Sequence, residues 1–185
     1  MWTETELIFQ EFPLIHLRAR HIPGKLNAIA DQLSRQGQIL PTEWMLHKDT
    51  VRSLFLRWGQ PNLDLFATRD NKQLPVYVSP VPDQYALEVD ALSISWENLN
   101  AYAYPPTKIL HVVLKKLQET QIFRMILIAP LWPKQLWFPL LQQLSVEEPF
   151  PLPLHPHLLK QPKSNMYHRN PENLNLHAWI LQKGH

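Results

Sequence analysis

Apolar positions change their spacing several times along this chain, and each change predicts an element. Residues 14–18, Leu-Ile-His-Leu-Arg, alternate as a strand does, and His21-Ile22-Pro23-Gly24 reads as the turn after it. Asn27 is placed to cap a short helix over 28–35, which Gly37 ends. Trp44, Val51, Leu54, Phe55 and Trp58 fall near one face at helical spacing, which predicts a helix over 43–58 stopped by Gly59-Gln60-Pro61. Short strands are expected at 63–68, 76–78 and 101–104, with a loop or turn over 90–96. Thr107 is the expected cap of a helix striped by Leu110, Val113, Leu114 and Leu117. The unbroken run Met125-Ile126-Leu127-Ile128-Ala129 suits the buried centre of a parallel sheet. Trp137, Leu140, Leu141 and Leu144 stripe one more helix. Six prolines across 149–171 are expected to break regular structure, and the alternating Leu174, Leu176, Ala178 and Ile180 read as an edge strand. Strands alternating with helices in the middle of the chain indicate an α/β layer structure.

Composition sharpens this picture. The 185 residues are 45% hydrophobic, enough to build a core and to set aside wholesale disorder. Eighteen prolines against four glycines predict many rigid, extended connections. A net charge of +2 gives no strong overall field toward nucleic acid or membrane. The charge is uneven, however: 151–185 holds four basic residues, one acid and five of the nine histidines. With no cysteine, neither a disulfide nor a thiolate metal site is available. No apolar run reaches the ~18 residues of a membrane helix, so an intracellular protein, in nucleus or cytoplasm, is expected.

Two stretches resemble known families. His-Ile-Pro-Gly-Lys-Leu-Asn-Ala-Ile-Ala-Asp-Gln-Leu-Ser-Arg, 21–35, resembles the C-terminal end of retroelement ribonuclease H domains. The resemblance sets His21 at the position of that family's mobile catalytic histidine and Asp31 at its last metal-binding carboxylate. Two-metal phosphodiester cleavage needs several carboxylates around cations ~3.5–4 Å apart. The family's others lie upstream of this stretch, so a nuclease remnant without activity is expected.

Downstream, Leu63-Asp64-Leu65-Phe66-Ala67-Thr68, Asn71, Asp90-Ala91, Trp96, Tyr104-Pro105-Pro106 and Ile128-Ala129-Pro130 occur in an order that resembles DIRS-type (tyrosine-recombinase) retrotransposon polyproteins. In these, a domain similar to phage-type adenine-N6 DNA methyltransferases follows ribonuclease H. The resemblance implies an α/β fold with a Rossmann-like, mostly parallel, methyltransferase-like sheet. It implies a division into a ribonuclease H remnant (1–40), a degenerate methyltransferase-like domain (41–148) and a proline-rich basic tail (149–185).

In that family a strand ends at Asn or Asp, then Pro-Pro and an aromatic. The polar side chain faces the adenine amino group and the aromatic stacks on the flipped base. Here Tyr104 stands at the polar position and Thr107 at the aromatic one, leaving only Pro105 and Pro106. A phenol does not accept amino protons as an amide carbonyl does. The stretch after Asp64 also lacks the glycine that lets backbone approach a cofactor closely. The expected function is therefore a non-catalytic domain with no cofactor, binding DNA or RNA, or a protein through 149–171. The alternative is an S-adenosylmethionine-dependent adenine-N6 methyltransferase, with Asp64, Phe66 and Asp90 as cofactor contacts.

Other groups carry weaker chemistry. Trp132, Lys134 and Trp137, joined by Tyr102, are candidates for a surface that stacks bases of a single strand. His155 and His157 with His168 offer imidazole ligands, but the proline between the first two disfavours chelation, and no metal is expected. Arg69, Lys72, Lys160, Lys163 and Arg169 are candidates for diffuse phosphate contacts.

Overall fold

The computed structural model describes residues 44–184. The expected elements at 14–18 and 27–35, with His21 and Asp31, lie outside the described residues. The described part opens with strand β1 (Met45–Leu46) and helix α1 (Lys48–Trp58). This helix begins later than the spacing predicts, because Trp44 is not on it and Met45 and Leu46 are drawn into strand pairing. His47 turns the chain, and its Nδ1 accepts the Asp49 amide at 3.3 Å. Gly59 closes the helix at φ 86, where a side chain would be strained. Val51 and Leu54 carry the buried stripe, with Phe55 and Trp58 partly covered.

Three two-residue strands follow: β2 (Leu63–Asp64), β3 (Val78–Ser79) and β4 (Glu88–Val89). Next come β5 (Leu99–Ala103), a 3-10 turn at Thr107–Ile109, α2 (Leu110–Glu119), β6 (Phe123–Pro130) and α3 (Phe138–Leu144). Thr107 is not the cap: its side chain makes no capping bond, and Pro106, at ψ 134, leads into the turn instead. All four expected stripe residues of α2 are buried. At ~1.5–3 kcal/mol per fully buried aliphatic side chain, that face is what holds a ten-residue helix too short to be stable alone.

The chain ends in β7 (Phe150–Pro151), β8 (Leu159–Lys160), a 3-10 turn at Pro171–Leu174 and β9 (Leu176–Lys183). Thus the proline-rich stretch does contain strands, short ones. Pro151 sits on the outermost strand of its sheet, where a missing N–H costs no ladder bond.

Five strands form one sheet in the order β2-β5-β6-β9-β7. β2, β5 and β6 run parallel, whereas β9 is antiparallel to both β6 and β7. The parallel pair β3-β4 abuts this sheet through a parallel bridge between Asp64 and Tyr77. The Asp64 amide donates to the Val76 carbonyl (3.0 Å) and the Ala67 amide to that of Val78 (3.3 Å). The strands therefore lie side by side as β4-β3-β2-β5-β6-β9-β7, all in one direction except β9. β1 and β8 pair separately and antiparallel.

β9 is an interior strand, not the expected edge. Its alternation serves two buried faces: Trp179 and Leu181 pack with α2 and α3, and Leu176, Ala178 and Ile180 pack with α1. β6 divides likewise, Met125, Leu127 and Ala129 on the first face, Ile126 and Ile128 on the second. The continuous run thus marks burial on both faces, as expected. Its partners are parallel β5 on one side and antiparallel β9 on the other. Arg124, the one charged residue of β6, ties α1 to the sheet through the Trp58 carbonyl and Asn100 Oδ1 (3.1 Å). Residues of the proline-rich end thereby complete the core of the described residues. Among the described residues no helix is long and apolar enough to cross a membrane.

Candidate functional site at the carboxyl ends of the parallel strands

From β2 the chain moves outward to β3 and β4, then crosses back to β5 on the other side of β2. In an open α/β sheet, the carboxyl ends flanking such a reversal diverge and make the usual ligand crevice. Five expected site residues stand there, Asp64, Tyr102 and Tyr104 on one face and Phe66 and Asp90 on the other.

Asp64 lies on the face covered by α1. It is 2% exposed and in register with Tyr102 of β5. The Gln73 amide donates to its Oδ2 at 2.8 Å, and the amides of Phe66 and Leu74 also bond to the carboxylate. Burial pushes its pKa up to about 7, against the smaller opposing pull of these three amides. Gln73 is itself held by a 2.8 Å bond from its Nε2 to the Leu46 carbonyl. The Tyr102 phenol points into the same interior. Its hydroxyl is buried without a hydrogen-bond partner, and the Phe55 ring meets its ring edge-on at 5.6 Å. Burial, with the Asp64 charge next, raises the Tyr102 pKa. Tyr102 therefore belongs to no exposed stacking surface, contrary to the sequence expectation: its position in β5 turns its ring to the face beneath α1. Tyr104, two residues on, is half-buried on the same face, and burial raises its pKa as well. Pro105 is buried and Pro106 exposed.

Phe66 and Asp90 stand on the other face. The Phe66 ring meets that of Trp96 edge-on at 6.4 Å. Trp96 is 1% exposed, donates Nε1–H to the Ala91 carbonyl (2.8 Å) and lies under the Lys116 ammonium (5.2 Å). Asp90 adopts φ 63, a conformation Asp tolerates better than most residues, and its Oδ1 accepts the Leu92 amide at 3.0 Å. Lys116 donates to the Leu92 carbonyl at 3.0 Å, and burial lowers its pKa. The carboxylate of Asp90 thus shapes a turn, and the tryptophan fills the space beside Phe66. Sequence reading named Trp96 only as part of a motif and missed Lys116 and Gln73, which act across 20 and 9 residues of chain from Trp96 and Asp64.

An S-adenosylmethionine at this crevice requires a carboxylate free to meet its ribose or amino group and backbone able to approach it. Asp64 is enclosed by residues 66–74, with its oxygens engaged by their amides, and that stretch has no glycine. Phe66 is turned onto Trp96. The residues present do not fit the cofactor.

Beyond β6 the surface is open. Trp132 and Trp137 are half-buried, Lys134 is exposed and Leu136 is 100% exposed. The turn is rigidly built: the Gln135 amide donates to the Trp132 carbonyl (3.1 Å), and the Asn175 side chain donates to the Leu131 carbonyl (2.9 Å). Trp137 leans on Phe138 with ring centroids 6.2 Å apart. The three candidate metal ligands do not converge: His155 packs on His47, His157 on Tyr167 and His168 on Trp44. Among the described residues no group of three or more His, Cys, Asp or Glu is placed to hold a metal ion. Of the diffuse cations, Arg69 stacks on Tyr85 (4.2 Å), Lys72 on Tyr77 (4.6 Å), and Lys163 pairs with Asp70 (3.3 Å). No protein-family model matches this chain, and no curated protein matches it closely enough to count as a relative.

Proposed function

We propose that this chain is a retrotransposon-derived, non-catalytic α/β domain that binds single-stranded nucleic acid at the aromatic, basic rim beyond β6. The observation that carries this reading is the rim itself: Trp132, Trp137 and a fully exposed Leu136 stand beside Lys134, with Lys108 at the neighbouring end of β5. Between residues 98 and 146 the single acid is Glu119, at the far end of α2. Flat rings beside cations suit stacked bases and their phosphates.

A Rossmann-like ancestry is supported by the strand order. Counted from β2, the neighbours run three-two-one-four-five, the order of a doubly wound nucleotide-binding sheet, with β9 inserted and reversed. Loss of methyl transfer is supported by the engaged Asp64 and by Tyr104 at the position that grips an amino group in the related family.

The test is a tryptophan-fluorescence titration with an oligothymidylate. Binding is expected at low salt and weakens as salt rises, because phosphate contacts release counterions. Trp132→Ala is expected to weaken it about tenfold, the value of roughly one stacked base. Absence of binding at low salt overturns the reading. Calorimetric binding of S-adenosylmethionine, with methyl incorporation into adenine, replaces it with the enzyme.

A further inference from the structure

The two outermost strands, β7 and β4, are built differently. Around β7, Pro149, Pro151 and Pro153 fall at alternate positions and remove N–H groups that an added strand would need. Around β4 no proline occurs between 83 and 104, and both strand residues, Glu88 and Val89, are exposed. β4 pairs with β3, flanked by bonds from the Leu87 amide to the Tyr77 carbonyl and from the Asp90 amide to the Ser79 carbonyl, both 2.8 Å. Among the described residues no strand covers its other side. We propose that β4 is a docking edge that takes an extended segment of a partner protein, with alternating apolar and basic side chains, as an added strand.

Apolar exposure is one feature that specifies this partner. Val76, Val81, Tyr85, Leu87 and Val89 are all exposed, on β4 or beside β3 and β4. Alternation puts Leu87 and Val89 on one face of the edge and Glu88 on the other. The Val89 carbonyl already accepts Ser93 Oγ at 3.2 Å, which ends the open stretch.

Charge is the second. From 73 to 107 the chain carries four acids, Asp83, Glu88, Asp90 and Glu97, and no lysine or arginine. Three of them are engaged: Asp83 by the Tyr77 hydroxyl and the Tyr85 amide, Asp90 by the Leu92 amide, and Glu97 by the amides of Gln121 and Ile122. Glu88 makes no ion pair among the described residues, and the cation beside this edge, Arg69, is stacked on Tyr85 (4.2 Å). A second copy of this chain is a poor occupant, because antiparallel pairing of β4 with itself about Glu88 sets two carboxylates opposite each other. A lysine or arginine opposite Glu88, between apolar residues that meet Leu87 and Val89, is favourable on both counts.

The test uses the full chain with a synthetic peptide in which lysine and valine alternate, and a counterpart in which glutamate replaces lysine. The lysine peptide is expected to bind and to shift the backbone amide resonances of residues 86–90. Glu88→Lys is expected to weaken that binding about tenfold, as an opposite-charge cross-strand pair becomes a like-charge one, and to bring binding of the glutamate peptide. Absence of binding to the wild type overturns the proposal, as do amide shifts confined to other parts of the chain or equal affinity of wild type and Glu88→Lys. A shift of the same amides with protein concentration, without peptide, also overturns it and makes a second copy the occupant. The amide shifts need no variant and decide the matter if Glu88→Lys does not fold.

Discussion

Trp179→Ala is expected to remove about 4 kcal/mol of folding stability, much of what a domain of this size has to lose. Trp179 is 1% exposed at the middle of β9, where the two faces of the sheet are most fully covered. Its ring meets Phe138 edge-on at 5.9 Å, and its Nε1 donates to the Ala129 carbonyl at 3.1 Å. Alanine leaves a large cavity between the sheet and α3 and removes a side-chain donor to that carbonyl, so cavity and lost hydrogen bond act together. Trp179→Phe keeps most of the volume and should cost roughly half as much. Urea unfolding of the two variants checks this. A loss below 1 kcal/mol for Trp179→Ala would mean that the proline-rich end of the chain does not complete the core.

Stability is also expected to fall as pH rises from about 4 to above 7, with Asp64 as the cause. Its carboxyl holds the proton up to about pH 7 in the folded chain, against an ordinary value of 3.8. Between those values the folded state binds more protons than the unfolded state, so this contribution is complete below about pH 4 and is lost as pH climbs through 7. Its size is at most about 4 kcal/mol, one pKa unit being worth about 1.4 kcal/mol. Asp83 works the other way. The Tyr77 hydroxyl holds its carboxyl below the ordinary range, so its contribution is lost on acidification. Comparing wild type with Asp64→Asn separates the two. An asparagine oxygen can still accept the Gln73 amide, and the side chain no longer ionises. The variant should therefore show little change between pH 4 and 8, and the difference between the proteins should grow with pH. Parallel curves would mean that Asp64 titrates as an ordinary carboxylate.

Both expectations depend on contacts that no local pattern contains. The alternation of Leu176, Ala178 and Ile180 was enough to predict a strand, but period two is the same for an edge strand and for one buried on both sides. What distinguishes them is the partner set, β6 on one side and β7 on the other. Trp179 and Leu181, on the opposite alternation, were the available sign that the second face is buried too. The stripe of α2 was legible because helix periodicity repeats over ten residues, whereas the Thr107 cap was not, because Pro105 and Pro106 had already set the backbone approaching it. At the strand ends, sequence order singled out Asp64, Phe66 and Asp90 together. The structure divides them, since β2 ends at Asp64, the chain bends before Phe66 and turns its ring onto Trp96, and Asp90 follows a different strand.

The sequence by itself determined the α/β character, the central apolar strand, the buried faces of α1 and α2, and a phenol in place of any amide before Pro105. These follow from periodicity, side-chain volume and chemical type, which are properties of short stretches. Tertiary structure alone decided that β9 lies inside the sheet, that Tyr102 is enclosed rather than displayed, and that Gln73 closes over Asp64. The reason is that strand pairing and burial join residues far apart in the chain, and an acid's proton affinity is set by the water and dipoles those partners exclude or supply.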